Sequence, residues 1–188
     1  MPSDESRNWS RIITAIATND GIFDNILAMM TRRALLAAAS SALALGIDTR
    51  EPAPKFKAKT LDGEQFDNAS IQGKIVLLQF WATWCKYCRS DQPAVDAIVR
   101  EFTDQGLIVL GVDVGESKKK VKQYLDATPR ACKIVLTEDT NLAAMYAAKS
   151  YPLYVLIDRN GKIAGEQRGA AGEAALRRLL RKAGLDQA

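Results

Sequence analysis

Two cysteines spaced Cys-x-x-Cys, Cys85 and Cys88, follow directly on the apolar run Ile75 to Trp81 in a chain of 188 residues that contains no histidine. That combination limits the chemistry sharply. Without imidazole there is no Ser-His or Cys-His catalytic pair and no histidine-ligated metal site, so any nucleophile must be activated by other means. A zinc site built on the pair needs two further ligands, and Cys132 is the one remaining cysteine. Three cysteines are too few for a disulfide-stapled scaffold. A redox dithiol fits better. A near-continuous apolar run of this kind reads as a strand buried on both faces. The residues after it, with Val95, Ile98, Val99 and Phe102 at helical spacing, read as a helix. Cys85 then stands at a helix N-terminus, where unpaired N–H groups and the helix dipole favour a thiolate. Lys86 adds a neighbouring cation. Cys88, one turn further on, is placed to attack a mixed disulfide formed at Cys85. Cys85 is therefore read as the attacking thiol and Cys88 as the resolving one.

The rest of the chain reads as an α/β domain. Length and a hydrophobic content of 47% suit one globular domain with a sizeable core. Leu107–Val112 and Leu153–Ile157 are further buried strands, and Ile134-Val135-Leu136 is a short one. Lys118–Leu125 reads as a helix capped by Ser117, Leu142–Ala148 as a short helix, and Leu176, Leu179 and Leu180 as the apolar stripe of a last helix. Turns are marked at Leu61-Asp62-Gly63, Gln72-Gly73-Lys74 and Asn160-Gly161, the last closing a hairpin whose return strand is Lys162–Gln167. Alternating strands and helices give a sheet with helices on both faces. Pro93 either sits inside the helix after the cysteines and sets its angle or marks that helix's first turn.

The first fifty residues read as leader and linker. Thr31-Arg32-Arg33 precedes an Ala/Leu-rich run, and Ala42-Leu43-Ala44 supplies small residues for cleavage, so about residues 30–44 form a secretory signal. The run is shorter than the ~20 apolar residues that span a bilayer, which favours cleavage over a retained anchor, although anchoring stays open. Thr31-Arg32-Arg33-Ala34-Leu35-Leu36 suits a Sec or a twin-arginine signal equally. Met29 and Met30 immediately before it suggest that translation starts there; an amphipathic extension through Ile12, Ile13, Ile16, Ile22, Phe23, Ile26 and Leu27 is the alternative. Glu51-Pro52-Ala53-Pro54 is the linker, and 51–188 is the domain. The first 44 residues hold four basic and four acidic residues, so the net charge of +4 belongs to the domain. The Lys118–Lys120 run is its densest patch and reads as a solvated helix start, with no nucleic-acid motif beside it.

The string Phe80-Trp81-Ala82-Thr83-Trp84-Cys85-Lys86-Tyr87-Cys88, with Pro93 five residues on, resembles the active site of the thioredoxin superfamily. Leu61-Asp62-Gly63, Gly111-Val112-Asp113-Val114 and Leu156-Ile157-Asp158-Arg159-Asn160-Gly161-Lys162-Ile163 extend the likeness to its TlpA/ResA-like extracytoplasmic branch over about residues 52–183. The resemblance implies a thioredoxin-like fold, a central mixed β-sheet flanked by helices, with an N-terminal β extension and a central insertion. It implies that Trp84 packs beside the dithiol and that Tyr151-Pro152 is a cis-proline step facing it. It further implies a protein-disulfide oxidoreductase located in the periplasm or otherwise outside the cytoplasm. Its partners would be protein thiols and disulfides, its electrons would come from a membrane thiol donor, and it would need no metal or cofactor beyond the Cys85–Cys88 disulfide. A reductant of the kind serving cytochrome c maturation is the leading reading.

Three features depart from the family. Gln79 stands six before Cys85, where thioredoxins carry a buried acid, so Glu138, Asp113 or water must handle the proton. Lys86-Tyr87 replaces the usual dipeptide between the cysteines, and Ser150-Tyr151-Pro152-Leu153 replaces the commoner Gly-x-Pro-Thr, with the bulky Tyr151 narrowing the groove. Two other readings compete. A thiol peroxidase needs Thr-x-x-Cys, whereas Thr83 lies two before Cys85. A copper or zinc carrier on this fold pairs Cys-x-x-x-Cys with a histidine, and neither is present. Cys132 reads as inert packing, with a third redox thiol as the alternative.

Overall fold

The structure, a computed structural model, describes residues 50–185. The leader, start-site and signal expectations fall on residues outside that range. In chain order the elements are β1 (Lys57–Thr60), β2 (Gln65–Asp67), β3 (Ile75–Trp81), α1 (Lys86–Phe102), β4 (Leu107–Asp113), α2 (Lys118–Ala127), β5 (Lys133–Thr140), α3 (Leu142–Met145), β6 (Leu153–Ile157), β7 (Ile163–Arg168) and α4 (Gly172–Arg181). A single 3-10 turn at Thr103–Gln105 follows α1.

All seven side chains of β3 are buried, because the strand lies in the middle of a seven-stranded sheet ordered β2-β1-β5-β4-β3-β6-β7. Strand side chains alternate between faces, and here each face meets its own core. Ile75, Leu77 and Trp81 pack with Val95, Ile98 and Phe102 of α1 and with Leu176, Leu179 and Leu180 of α4. Val76, Leu78 and Phe80 pack on the opposite face with Phe56, Ile71, Leu142 and Tyr146. A near-continuous apolar run, here broken by Gln79, is what such two-sided burial favours.

Strand direction follows from the connections. β4 is parallel to β3 and β5 is parallel to β4, with α1 and α2 as the respective crossovers. β6 runs antiparallel to β3, and β7 antiparallel to β6 through the Asn160-Gly161 turn. Gly161 adopts φ 73°, open to glycine at little cost, and the Asp158 carboxylate accepts the N–H groups of Asn160 and Lys162 at 2.9 Å each. The mixed sheet, the added β1–β2 hairpin and the α2–β5 unit between β4 and β6 make the thioredoxin-like fold with its N-terminal extension and central insertion.

Two elements differ from the sequence expectation. The strand expected at Ile134–Leu136 runs from Lys133 to Thr140. Its first half pairs with β4, and Thr140 pairs with Ala58 of β1, so backbone pairing extends a strand whose second half has no apolar pattern. The helix expected to reach Ala148 stops at Met145. Ala147 takes φ 45°, and the Ala148 N–H returns to the Ala143 carbonyl at 2.9 Å, a Schellman-type closure. Pro93 lies inside α1, exposed, so the helix does not begin there.

Gly111 shows how closely the sheet is packed. A Cβ at this position would lie 3.0 Å from Cys132 Sγ, 3.2 Å from Ile134 Cδ1 and 3.3 Å from Trp81 Nε1. Gly111→Ala should therefore destabilise the fold by ~1–3 kcal/mol, the usual cost of overpacking. Urea unfolding measures this, and an unchanged midpoint would contradict the packing described.

Candidate active site

The chain turn after β3 places both cysteines. Cys85 N–H bonds the Ala82 carbonyl at 3.1 Å, and Cys85 then becomes the N-cap of α1 with extended φ −72°, ψ 104°. Its sulfur accepts the Cys88 N–H at 3.1 Å. The two cysteines form a disulfide, S–S 2.07 Å. No acidic residue occupies the first turn of α1, so the positive helix end acts on Cys85 Sγ unopposed from within the helix. Cys85 is 4% exposed and Cys88 0%, so Cys85 is the outer member of the pair.

Exposed side chains surround it. Trp84 is 61% and Tyr87 64% exposed, large values for aromatic groups. Trp84 meets Tyr151 edge-on with centroids 6.0 Å apart. Tyr151 is held by its hydroxyl, which donates to the Ala148 carbonyl at 3.0 Å, and the Tyr151–Pro152 peptide is cis. Pro152 itself is buried and Lys86 is exposed.

Beneath α1 lies a polar chain that sequence reading only touched. Gln79 is fully buried and donates from Nε2 to the Tyr154 hydroxyl at 3.4 Å; Tyr154 donates to Asp91 Oδ2 at 3.0 Å. Burial and the neighbouring Asp91 carboxylate push the Tyr154 hydroxyl well above the ordinary phenol range. Arg130 reaches Gln79 Oε1 at 3.5 Å and stacks over Trp81 with its guanidinium carbon 3.4 Å from the ring centre. Asp91 was not anticipated, although it stands three residues after Cys88 on one helix face. Arg130 had no local signal.

A second polar group supports the loop before Cys85. Thr83 donates its N–H and its hydroxyl to Glu116 at 2.5 and 2.7 Å, and Lys120 binds the same carboxylate at 2.6 Å. Of the sequence candidates for proton handling, Asp113 is buried at the end of β4, in register with Trp81, whereas Glu138 is exposed. Glu116 was not anticipated; its place depends on the β3–β4 register. Cys132 is a free buried thiol whose ionisation burial pushes up to about 11, which makes it a poor nucleophile. Among the described residues no group of three potential ligands is placed to hold a metal ion, and no helix is long and apolar enough to cross a membrane.

The model of the AhpC/TSA family matches residues 49–165. The thioredoxin-like protein YneN of Bacillus subtilis is 36% identical over 122 residues, covering 63% of this chain and 71% of that protein. The thiol-disulfide oxidoreductase ResA of Bacillus cereus is 26% identical over 130 residues, 69% of this chain and 75% of its own length. A crystal structure of a thiol:disulfide interchange protein, a thioredoxin family protein from Chlorobium tepidum, superposes with TM-score 0.63 at 27% identity, covering 72% of this chain and 97% of that one.

Proposed function

The chain belongs to the AhpC/TSA family, and from that premise we propose that it is a thiol-disulfide oxidoreductase acting outside the cytoplasm as a reductant of protein disulfides. The observation that carries the reading is the Cys85 sulfur at the outer end of α1, accepting the Cys88 N–H, with Cys88 buried below it. The Cys85 thiolate attacks one sulfur of a partner's disulfide; that S–S bond breaks, and the partner's other sulfur leaves as a thiolate and takes a proton from water. Cys88 gives up its proton to water and attacks Cys85 Sγ, the mixed disulfide breaks, and the partner's second sulfur leaves as a thiolate and takes up a proton from water. The partner has gained two electrons and two protons, and the Cys85–Cys88 disulfide is the product. A membrane thiol donor returns the electrons, as suits an exported reductant of the cytochrome c maturation kind. Trp84, Tyr151 and Pro152 form the surface against which the partner lies, and Lys86, Tyr87, Gln79 and Pro93 tune the pair. Export rests on the Arg32-Arg33 and Ala42-Leu43-Ala44 leader.

A thiol peroxidase is the competing reading, but the threonine here is engaged elsewhere: the Thr83 hydroxyl donates to Glu116 at 2.7 Å. A metal carrier would need ligands beyond the two cysteines. The deciding measurement is the reduction potential of the Cys85/Cys88 pair against glutathione. A reductant should fall near the thioredoxin end of the scale, about −270 mV, and a value near the DsbA end, about −120 mV, would make the protein an oxidant and overturn this reading.

A further inference from the structure

We propose that Asp113 and Glu116 form a one-proton carboxyl pair behind the Cys85 loop, and that Asp113 is a positioning residue coupling ionisation of the attacking thiol to pH near neutrality. The proposal rests on Cys85 being the attacking thiol.

The geometry starts from the end of β4. Asp113 is fully buried in register with Trp81, the last residue before the cysteine loop. Glu116 folds back on it, its N–H donating to Asp113 Oδ1 at 3.3 Å. Among the described residues no N–H or O–H donates to the buried Asp113 Oδ2, and the Glu116 carboxylate lies within hydrogen-bonding reach of the Asp113 side chain. Two carboxylates can hydrogen-bond only through a proton. Glu116 is already supplied with the Thr83 N–H, the Thr83 hydroxyl and the Lys120 ammonium, so it holds the negative charge and Asp113 holds the proton. The ionisation equilibria agree. Burial, reinforced by Glu116, pushes Asp113 up to about 7. Burial opposes ionisation of Glu116 too, but Lys120 and Thr83 hold it down to about 2.

The pair lies between the two segments that frame the dithiol. On one side Glu116 holds Thr83, two residues before Cys85. On the other, the Asp113 charge, after burial, helps raise the Tyr151 hydroxyl, next to cis Pro152. The charged and titratable groups facing Asp113 are Glu116 from its own loop, Lys120 from α2 and Tyr151; β5 contributes the neutral Thr137 hydroxyl, which donates to the Asp113 carbonyl at 2.6 Å. Below neutrality the pair carries one negative charge, and above it two. The second charge disfavours a thiolate at Cys85, and a thiolate there makes Asp113 keep its proton. The two groups titrate as a coupled system.

The test uses the Cys88→Ser protein, in which Cys85 is the accessible thiol, and follows its alkylation by iodoacetamide over about pH 5 to 9. The expected profile has two inflections. Adding Asp113→Asn, which keeps a hydrogen-bond donor toward Glu116 but cannot ionise, should leave one inflection. It should also raise the rate near pH 8 by up to about tenfold, the size of one pKa unit. Glu116→Gln should move the Asp113 inflection to lower pH, because the Glu116 charge no longer opposes ionisation while burial still does, and it serves if the first variant fails to fold. A profile unchanged by both substitutions overturns the proposal. Stability supplies a second readout. A carboxyl whose folded value is raised from 3.8 to about 7 loses stabilisation as pH rises through that window and is flat above it. The urea midpoint of Asp113→Asn should therefore gain on the parent across the window, and parallel midpoints would count against a buried ionising Asp113. Failure of the functional reading looks different: the unsubstituted protein would reduce no protein disulfide at any pH, whatever the alkylation profile.

Discussion

Cys85→Ser should reduce turnover of a protein disulfide such as insulin to the uncatalysed level, while Cys88→Ser should accumulate mixed disulfides through Cys85. The asymmetry follows from the helix end. The Cys85 sulfur caps α1 and is the outer atom of the pair, and the Cys88 sulfur is fully buried. A serine hydroxyl at 85 has no accessible anionic form near neutrality, so the helix dipole that favours a thiolate has nothing to act on. With serine at 88 the first exchange still proceeds, but no internal thiol is left to resolve it. Non-reducing electrophoresis with peptide mapping reads the trapped bond. Substantial insulin reduction by Cys85→Ser would invert the assigned order of attack, and so would an adduct mapped to Cys88 in the Cys85→Ser protein. Cys132 does not complicate the assay, because burial holds its thiol un-ionised up to about 11.

How much of this was legible in the sequence depended on whether a feature was local. The six apolar residues of β3, the Cys-x-x-Cys step and the Asn160-Gly161 turn each carry their structural signal within a few neighbours, and each lies where the pattern placed it. The cis Tyr151–Pro152 step came from resemblance alone, since no local pattern distinguishes it. β5 grew beyond its apolar triplet because β1, more than seventy residues earlier, pairs with its far end. The same distance hid the site's supports. Glu116 reaches Thr83 across 33 positions, and Arg130 reaches Gln79 across 51. Both contacts exist because β3 and β4 are parallel and α2 returns the chain to the same edge. Gln79 could be seen to replace an acid, but its partner Tyr154 and the Asp91 beyond it were visible only once β6 had been placed beside β3.

Asp91→Ala should be the most destabilising single substitution outside the apolar core, at ~3 kcal/mol. Asp91 is 4% exposed and joins three parts of the structure. Its Oδ2 accepts the Tyr154 hydroxyl at 3.0 Å and the Ala171 N–H at 2.7 Å, and its Oδ1 accepts the Gly172 N–H at 3.1 Å. Ala171, the N-cap of α4, offers no side-chain cap of its own, so a residue of α1 supplies the missing acceptor from 80 positions away. Ordinarily a cap is worth ~1 kcal/mol. Here the alanine also strands three donors, a phenol and two amides, and a buried donor left without a partner costs ~1–3 kcal/mol. Relaxation and entering water recover part of that sum. Against a total stability of ~5–15 kcal/mol the loss is large. Two comparisons separate the contributions. Tyr154→Phe leaves both backbone amides satisfied and strands only the buried Gln79 Nε2, so it should cost less, ~1–2 kcal/mol. Asp91→Asn retains an acceptor oxygen for one side of the cluster and should fall between the two. Urea midpoints at constant m-value read all three. A loss below ~1 kcal/mol for Asp91→Ala would mean that water replaces the carboxylate, and that α4 is held by Leu176, Leu179 and Leu180 without this cross-helix cap.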